Sequence, residues 1–117
     1  MQPVKLKPKK GPESKIQHAI IDMLRVKGWY VMVTHGGMFQ SGFPDLYATH
    51  SSYGPRWIEV KNPLAYSFTA AQLDCFPKLV ANGTRIWILT AATEEEYDKL
   101  FKDSNWYYYL LRTRSCH

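Results

Sequence analysis

Residues 42–61, Gly-Phe-Pro-Asp-Leu-Tyr-Ala-Thr-His-Ser-Ser-Tyr-Gly-Pro-Arg-Trp-Ile-Glu-Val-Lys, decide how this chain is read. Leu46 to Thr49 and Trp57 to Val60 are rich in β-formers, and the segment between them, His50 to Pro55, is turn material, so the stretch predicts a β-hairpin. On the second strand Trp57, Glu59 and Lys61 alternate onto one face, with Ile58 and Val60 on the other. Asp45 enters the first strand directly after Pro44, which brings its carboxylate toward Glu59 when the strands pair in the simplest register. Two carboxylates about 4 Å apart repel by about 4 kcal/mol at an effective dielectric near 20, so they share a proton or hold a cation. A hard divalent ion such as Mg²⁺ suits them, and Lys61 beside it can orient a water or offset charge on a phosphorus centre. The competing reading makes Pro44-Asp45 an ordinary turn and Glu59 and Lys61 the solvated face of an edge strand.

The 117 residues are enough for one domain with a buried core, and 8 Tyr, 5 Phe and 4 Trp speak against disorder. The net charge of +5 is unevenly placed. Lys5, Lys7, Lys9, Lys10, Arg112 and Arg114 supply six of the 15 basic residues, leaving nine against ten acids between them. We expect a basic flexible arm over 1–11, one domain over 12–111, and a basic tail over 112–117. Such arms suit a polyanion, nucleic acid before an anionic membrane, although lysine-rich ends are often only solubilising. No apolar run has spanning length and no signal peptide is evident, so the expected setting is soluble and cytoplasmic, with no membrane partner. Cys75 and Cys116 lack CxxC spacing, and His18, His35, His50 and His117 form no zinc pattern.

Outward from the hairpin, Pro12 opens a helix whose apolar positions Ile16, Ala19, Ile20, Met23 and Leu24 recur at 3.6-residue spacing until Gly28. Glu13 lies in its first turn, where a carboxylate complements the helix dipole. Trp29 to Thr34 predicts a strand, and Gly36-Gly37 begins a loop into the 42–45 turn. Thr69-Ala-Ala-Gln72 fits a capping box opening a second helix, with a kink expected at Pro77 and a stop at Asn82-Gly83. Thr84 to Thr90 predicts a central strand, Thr93 to Glu96 a second capping box, and Trp106 to Leu111 a last strand. The order α-β-β-β-α-β-α-β implies an α/β fold with a mixed β-sheet flanked by helices.

This order, together with Gly42-Phe-Pro-Asp45, Glu59-Val-Lys61 and Gln72 heading a helix, closely resembles the PD-(D/E)XK nuclease superfamily, with its restriction-endonuclease-like core. Within it the chain is most similar to the virus-type replication-repair nuclease (VRR-NUC) group, in its small stand-alone phage or bacterial form. The match runs from about Glu13 to Thr90; Asn62, where glycine is common, and Pro77 depart from the pattern. The resemblance implies a catalytic set of Glu13, Asp45, Glu59, Lys61 and Gln72, with Asp45, Glu59, Glu13 and the Val60 carbonyl holding Mg²⁺ or Mn²⁺. It further implies an endonuclease acting on branched DNA such as Holliday junctions, as a homodimer and without an organic cofactor. A nicking or sequence-specific endonuclease, or a non-catalytic DNA-binding module of the same fold, are the alternatives. Gln72 carries two expectations, cap and active-site residue, and its side chain is expected to serve one at a time.

Overall fold

The computed structural model describes residues 11–34 and 42–115. The basic segment 1–10 and the loop around Gly36-Gly37 lie outside them. Helix α1 (Pro12–Val26) starts with proline in its first turn, as expected, and buries Gln17, Ile20, Ile21 and Leu24. Strands β1 (Tyr30–Val33), β2 (Leu46–His50) and β3 (Gly54–Val60) form an antiparallel meander, and β4 (Ile86–Leu89) joins β3 in parallel, giving the order β1-β2-β3-β4. The hairpin is tighter than expected. His50 pairs with Gly54 across Ser51, Ser52 and Tyr53, and Pro55 lies within β3 opposite Thr49. Proline is tolerated there because β4 pairs with β3 only from Trp57 onward.

The sheet is covered on both faces. On one, Ile20, Ile21 and Leu24 of α1 pack with Ala48, Ile58, Val60, Trp87, Leu89 and Leu100. On the other, Phe76 of α2 (Ala70–Ala81) packs with Ile86, Ile88, Trp106, Tyr109 and Leu110. β4 serves both cores by alternation, which explains why all four of its residues are buried and why its sequence reads as uninterrupted β-former. α2 runs through Pro77 without ending there.

Three expectations are corrected. The last element is helix α4 (Trp106–Ser115), not a strand. Its buried residues Trp106, Tyr109 and Leu110 stand at i, i+3 and i+4, a helical period that outweighs the β-propensity of three tyrosines. The boundary expected between 111 and 112 therefore falls inside a helix. β4 is the outermost strand of the sheet rather than a central one. Its free edge is closed by Asn105, whose Oδ1 accepts from the Ile88 N–H at 2.6 Å and whose Nδ2 donates to the Ile88 carbonyl at 3.2 Å. Finally, Thr93 caps α3 (Glu94–Asp98) through the Glu96 N–H, but Glu96 does not complete the box. Its side chain is buried and accepts from the Thr90 N–H and hydroxyl, tying α3 to the end of β4.

Candidate active site

The hairpin register places Leu46 opposite Ile58, so Asp45 and Glu59 face each other across the β2–β3 ladder. Each carboxylate bonds the other strand's backbone. The Asp45 N–H donates to Glu59 Oε1 at 3.1 Å, and the Val60 N–H donates to Asp45 Oδ2 at 2.8 Å. The turn before Asp45 is held from two sides. Thr34 donates its N–H to the Asp45 carbonyl at 2.9 Å and its hydroxyl to the Pro44 carbonyl. Gly42, at φ +94°, lies so close to α2 that a Cβ would sit 2.5 Å from the Ala71 carbonyl oxygen, so only glycine fits this approach.

Glu59 is 0% exposed and Lys61 4%. Their charges meet at 2.9 Å between Lys61 Nζ and Glu59 Oε2. Gln72 brackets the pair, donating from Nε2 to Glu59 Oε2 at 2.7 Å and accepting from Lys61 Nζ on Oε1 at 3.1 Å. The same Oε1 accepts from the Thr69 N–H at 3.0 Å while the Gln72 N–H donates to Thr69 Oγ1, so the capping box is complete as well. The expectation of one role at a time is thus corrected: a carbonyl oxygen has two lone pairs, and the amide nitrogen is left for Glu59. The Phe68 ring lies 4.7 Å from Lys61 Nζ, adding a cation–π contact.

Burying an ion pair this completely is no efficient route to stability, since desolvating each charge costs several kcal/mol and apolar replacements often do better. The pair lies at the floor of an open cleft of about 490 Å³, lined also by Glu13, Tyr66 and Thr69. Glu13 reaches this cleft from the first turn of α1; Asp45, 8% exposed, does not line it.

A solved structure described as a VRR_NUC domain is similar to this chain over 76% of the chain and 92% of its own length, at a TM-score of 0.60 and 20% sequence identity. This chain has the VRR_NUC domain fold. No protein-family model matches the sequence, and no curated protein does.

On this VRR_NUC fold the structure brings together Asp45, Glu59, Lys61 and Gln72, all four expected from sequence. Among the described residues no three His, Cys, Asp or Glu side chains form one ligating group, and Glu13 lines the same cleft as Glu59 and Lys61. Two carboxylates nevertheless fit Mg²⁺ or Mn²⁺, because a hard ion of this kind commonly takes one or two protein carboxylates and fills its remaining positions with waters and phosphate oxygens. Gln17 Oε1, one helical turn beyond Glu13, is a buried acceptor without a hydrogen-bond partner among the described residues. An i, i+4 pair shares a helix face, so a second oxygen donor stands beside Glu13. Sequence reasoning missed Thr34, Phe68 and Gln17. Phe68 had a signal, since an apolar residue directly before an N-cap is common; Thr34 and Gln17 had none, because their roles depend on what folds against them.

Proposed function

We propose that this chain is a Mg²⁺- or Mn²⁺-dependent DNA endonuclease that hydrolyses phosphodiester bonds by direct attack of water, selective for branched DNA and acting as a homodimer. The observation that carries this reading is the buried Glu59–Lys61 pair held by Gln72 beside Asp45, on the VRR_NUC fold. Asp45 and Glu59 would hold the ion, with the Val60 carbonyl and Glu13 as further donors. When bound it supplies Lewis-acid activation of water and neutralises charge on the scissile phosphate. Lys61 extends its ammonium to the floor of the cleft, where it orients the attacking water or offsets negative charge on the phosphoryl oxygens as the P–O bond to the leaving strand breaks. Gln72 positions both partners: it fixes the Glu59 carboxylate through Nε2 and Lys61 through Oε1, while Thr69 anchors the amide to the head of α2. Preference for a junction follows from the spacing of two sites in a symmetric dimer, since a two-fold junction offers two equivalent strands.

Incubating the protein with an end-labelled four-way junction and with a linear duplex, with and without Mg²⁺, tests the proposal. Metal-dependent cuts confined to the junction are expected. Equal cutting of both substrates returns the nicking or sequence-specific alternative, and binding without cleavage in Mg²⁺ makes the chain a DNA-binding module.

A further inference from the structure

At the opposite end of β3 from Lys61 lies a second concavity, of about 430 Å³, between the start of β3, the loop before β4 and the 3₁₀ turn after α3. Its charged lining is Arg56, Arg85 and Lys102, with no carboxylate among the lining residues. The parallel register that sets Trp57 beside Ile86 makes Arg56 and Arg85 lateral neighbours on one face of the sheet. Arg56 is locked. Its Nε donates to the Leu100 carbonyl at 2.7 Å and its Nη1 to the Tyr53 and Pro55 carbonyls, both at 2.9 Å. Its guanidinium carbon lies 5.2 Å from the Trp87 ring centre and 5.9 Å from that of Phe101.

Three of the five N–H donors of Arg56 are thereby used on backbone, and no described residue accepts from Nη2. Among the described residues no acid pairs with Arg56, Arg85 or Lys102 either. Partial burial first, and the adjacent Arg85 second, hold Arg56 below its ordinary pKa. Arginine stays charged regardless, so the repulsion is relieved only by an anion. A rigid guanidinium beside a second one matches the oxygen geometry of a phosphate, and the locked rotamer removes the ordering cost of binding.

We propose that Arg56, Arg85 and Lys102 form a phosphate-binding site remote from the cleavage centre, and that its occupant is a backbone phosphate of the DNA whose cleavage is proposed above. Five residues along β3 separate Arg56 from Lys61, about 16 Å at 3.3 Å per residue, and the odd count puts them on opposite faces. A DNA strand places one phosphate per 3.4 Å of helix axis, so DNA that reaches both sites must pass round the sheet, and more than about five nucleotides lie between the two contacts. This second contact would hold an arm that the catalytic cleft does not touch.

The test uses full-length protein without divalent metal and a fluorescein-labelled four-way junction, with affinity read by anisotropy across a salt series. Arg85→Gln with Lys102→Gln alters two exposed side chains and spares the structural bonds of Arg56; Arg25→Gln, at the end of α1, is the control. The double variant should lower the magnitude of the slope of log K against log salt by about 0.9, the value for one lost phosphate contact, and the control should leave it unchanged. In parallel, melting is followed in inorganic phosphate against chloride at equal ionic strength, where phosphate should raise the midpoint of the wild type and the Arg25→Gln control but not that of the double variant. A phosphate-dependent midpoint with an unchanged slope keeps the site and reassigns its occupant to a free phosphate. Neither effect overturns the site, even in a protein that cuts junctions, and a protein that cuts nothing but keeps both effects loses the nuclease reading alone.

Discussion

Gln72 Nε2 donates to Glu59 Oε2 at 2.7 Å, while the carbonyl oxygen of the same amide accepts from both Lys61 Nζ and the Thr69 N–H. One side chain therefore closes the N-terminus of α2 and sets the spacing of the buried ion pair. Gln72→Ala removes both at once: loss of a cap is worth about 1 kcal/mol, and leaving two buried ionic groups short of partners adds to it. Thermal melting and cleavage rate should both fall. A rate loss with an unchanged midpoint would detach the cap from the site.

Lys61→Ala leaves Glu59 buried without its counter-charge, which for such pairs costs about 3–5 kcal/mol. Cleavage should drop by roughly 10² to 10⁴. The double change Glu59→Gln with Lys61→Met should be more stable than Lys61→Ala in urea titrations, because no isolated charge remains. If the single variant melts like wild type, the pair is not desolvated in solution.

Asp45→Asn and Glu59→Gln keep the side-chain shape and an oxygen that can accept the Val60 and Asp45 N–H groups, respectively, but each removes a charge. Both should weaken Mn²⁺ binding in calorimetric titration while the fold persists. Affinity unchanged in both would separate these carboxylates from any metal.

Gln17→Leu replaces an amide whose buried Oε1 has no partner among the described residues with an apolar group of similar size. Relief of an unsatisfied buried acceptor is worth about 1–3 kcal/mol, so the midpoint should rise. If Gln17 serves the cleft beside Glu13, cleavage should fall in the same variant. A destabilised Gln17→Leu protein would mean that the amide has partners in solution.

Deleting residues 1–10 removes Lys5, Lys7, Lys9 and Lys10. If all four contact phosphates, the salt slope of DNA binding should flatten by about 3.6, uniformly for duplex and junction. Junction preference should survive, because it is assigned to the dimer. Light scattering on the truncated protein checks that dimer, and a monomer that still makes paired, symmetric cuts would remove it.

Much of this arrangement was legible before any coordinates. The alternation of Trp57, Glu59 and Lys61 against Ile58 and Val60 is a property of the strand itself, and the hairpin length leaves little choice of register for Asp45. The capping box at Thr69 was equally local. Trp106 to Leu111 was misread because tyrosine and tryptophan favour strands, whereas the core they meet accepts residues 106, 109 and 110 of a helix. The double duty of Gln72 and the buried acceptor of Gln17, unpartnered among the described residues, lie beyond local reading, since each is defined by groups brought from distant parts of the chain.

The two hydrogen bonds from Asn105 to Ile88 do the work of a neighbouring strand with a single amide. A second polypeptide cannot add to β4 at that point without first displacing Asn105, so this side of the molecule is protected against sheet extension and fibril-like stacking. α4 is correspondingly free of any duty to the backbone ladder. Its outward residues Tyr107, Tyr108 and Leu111 can drift in sequence without loosening the sheet, and the protection travels with one asparagine rather than with the helix that follows it.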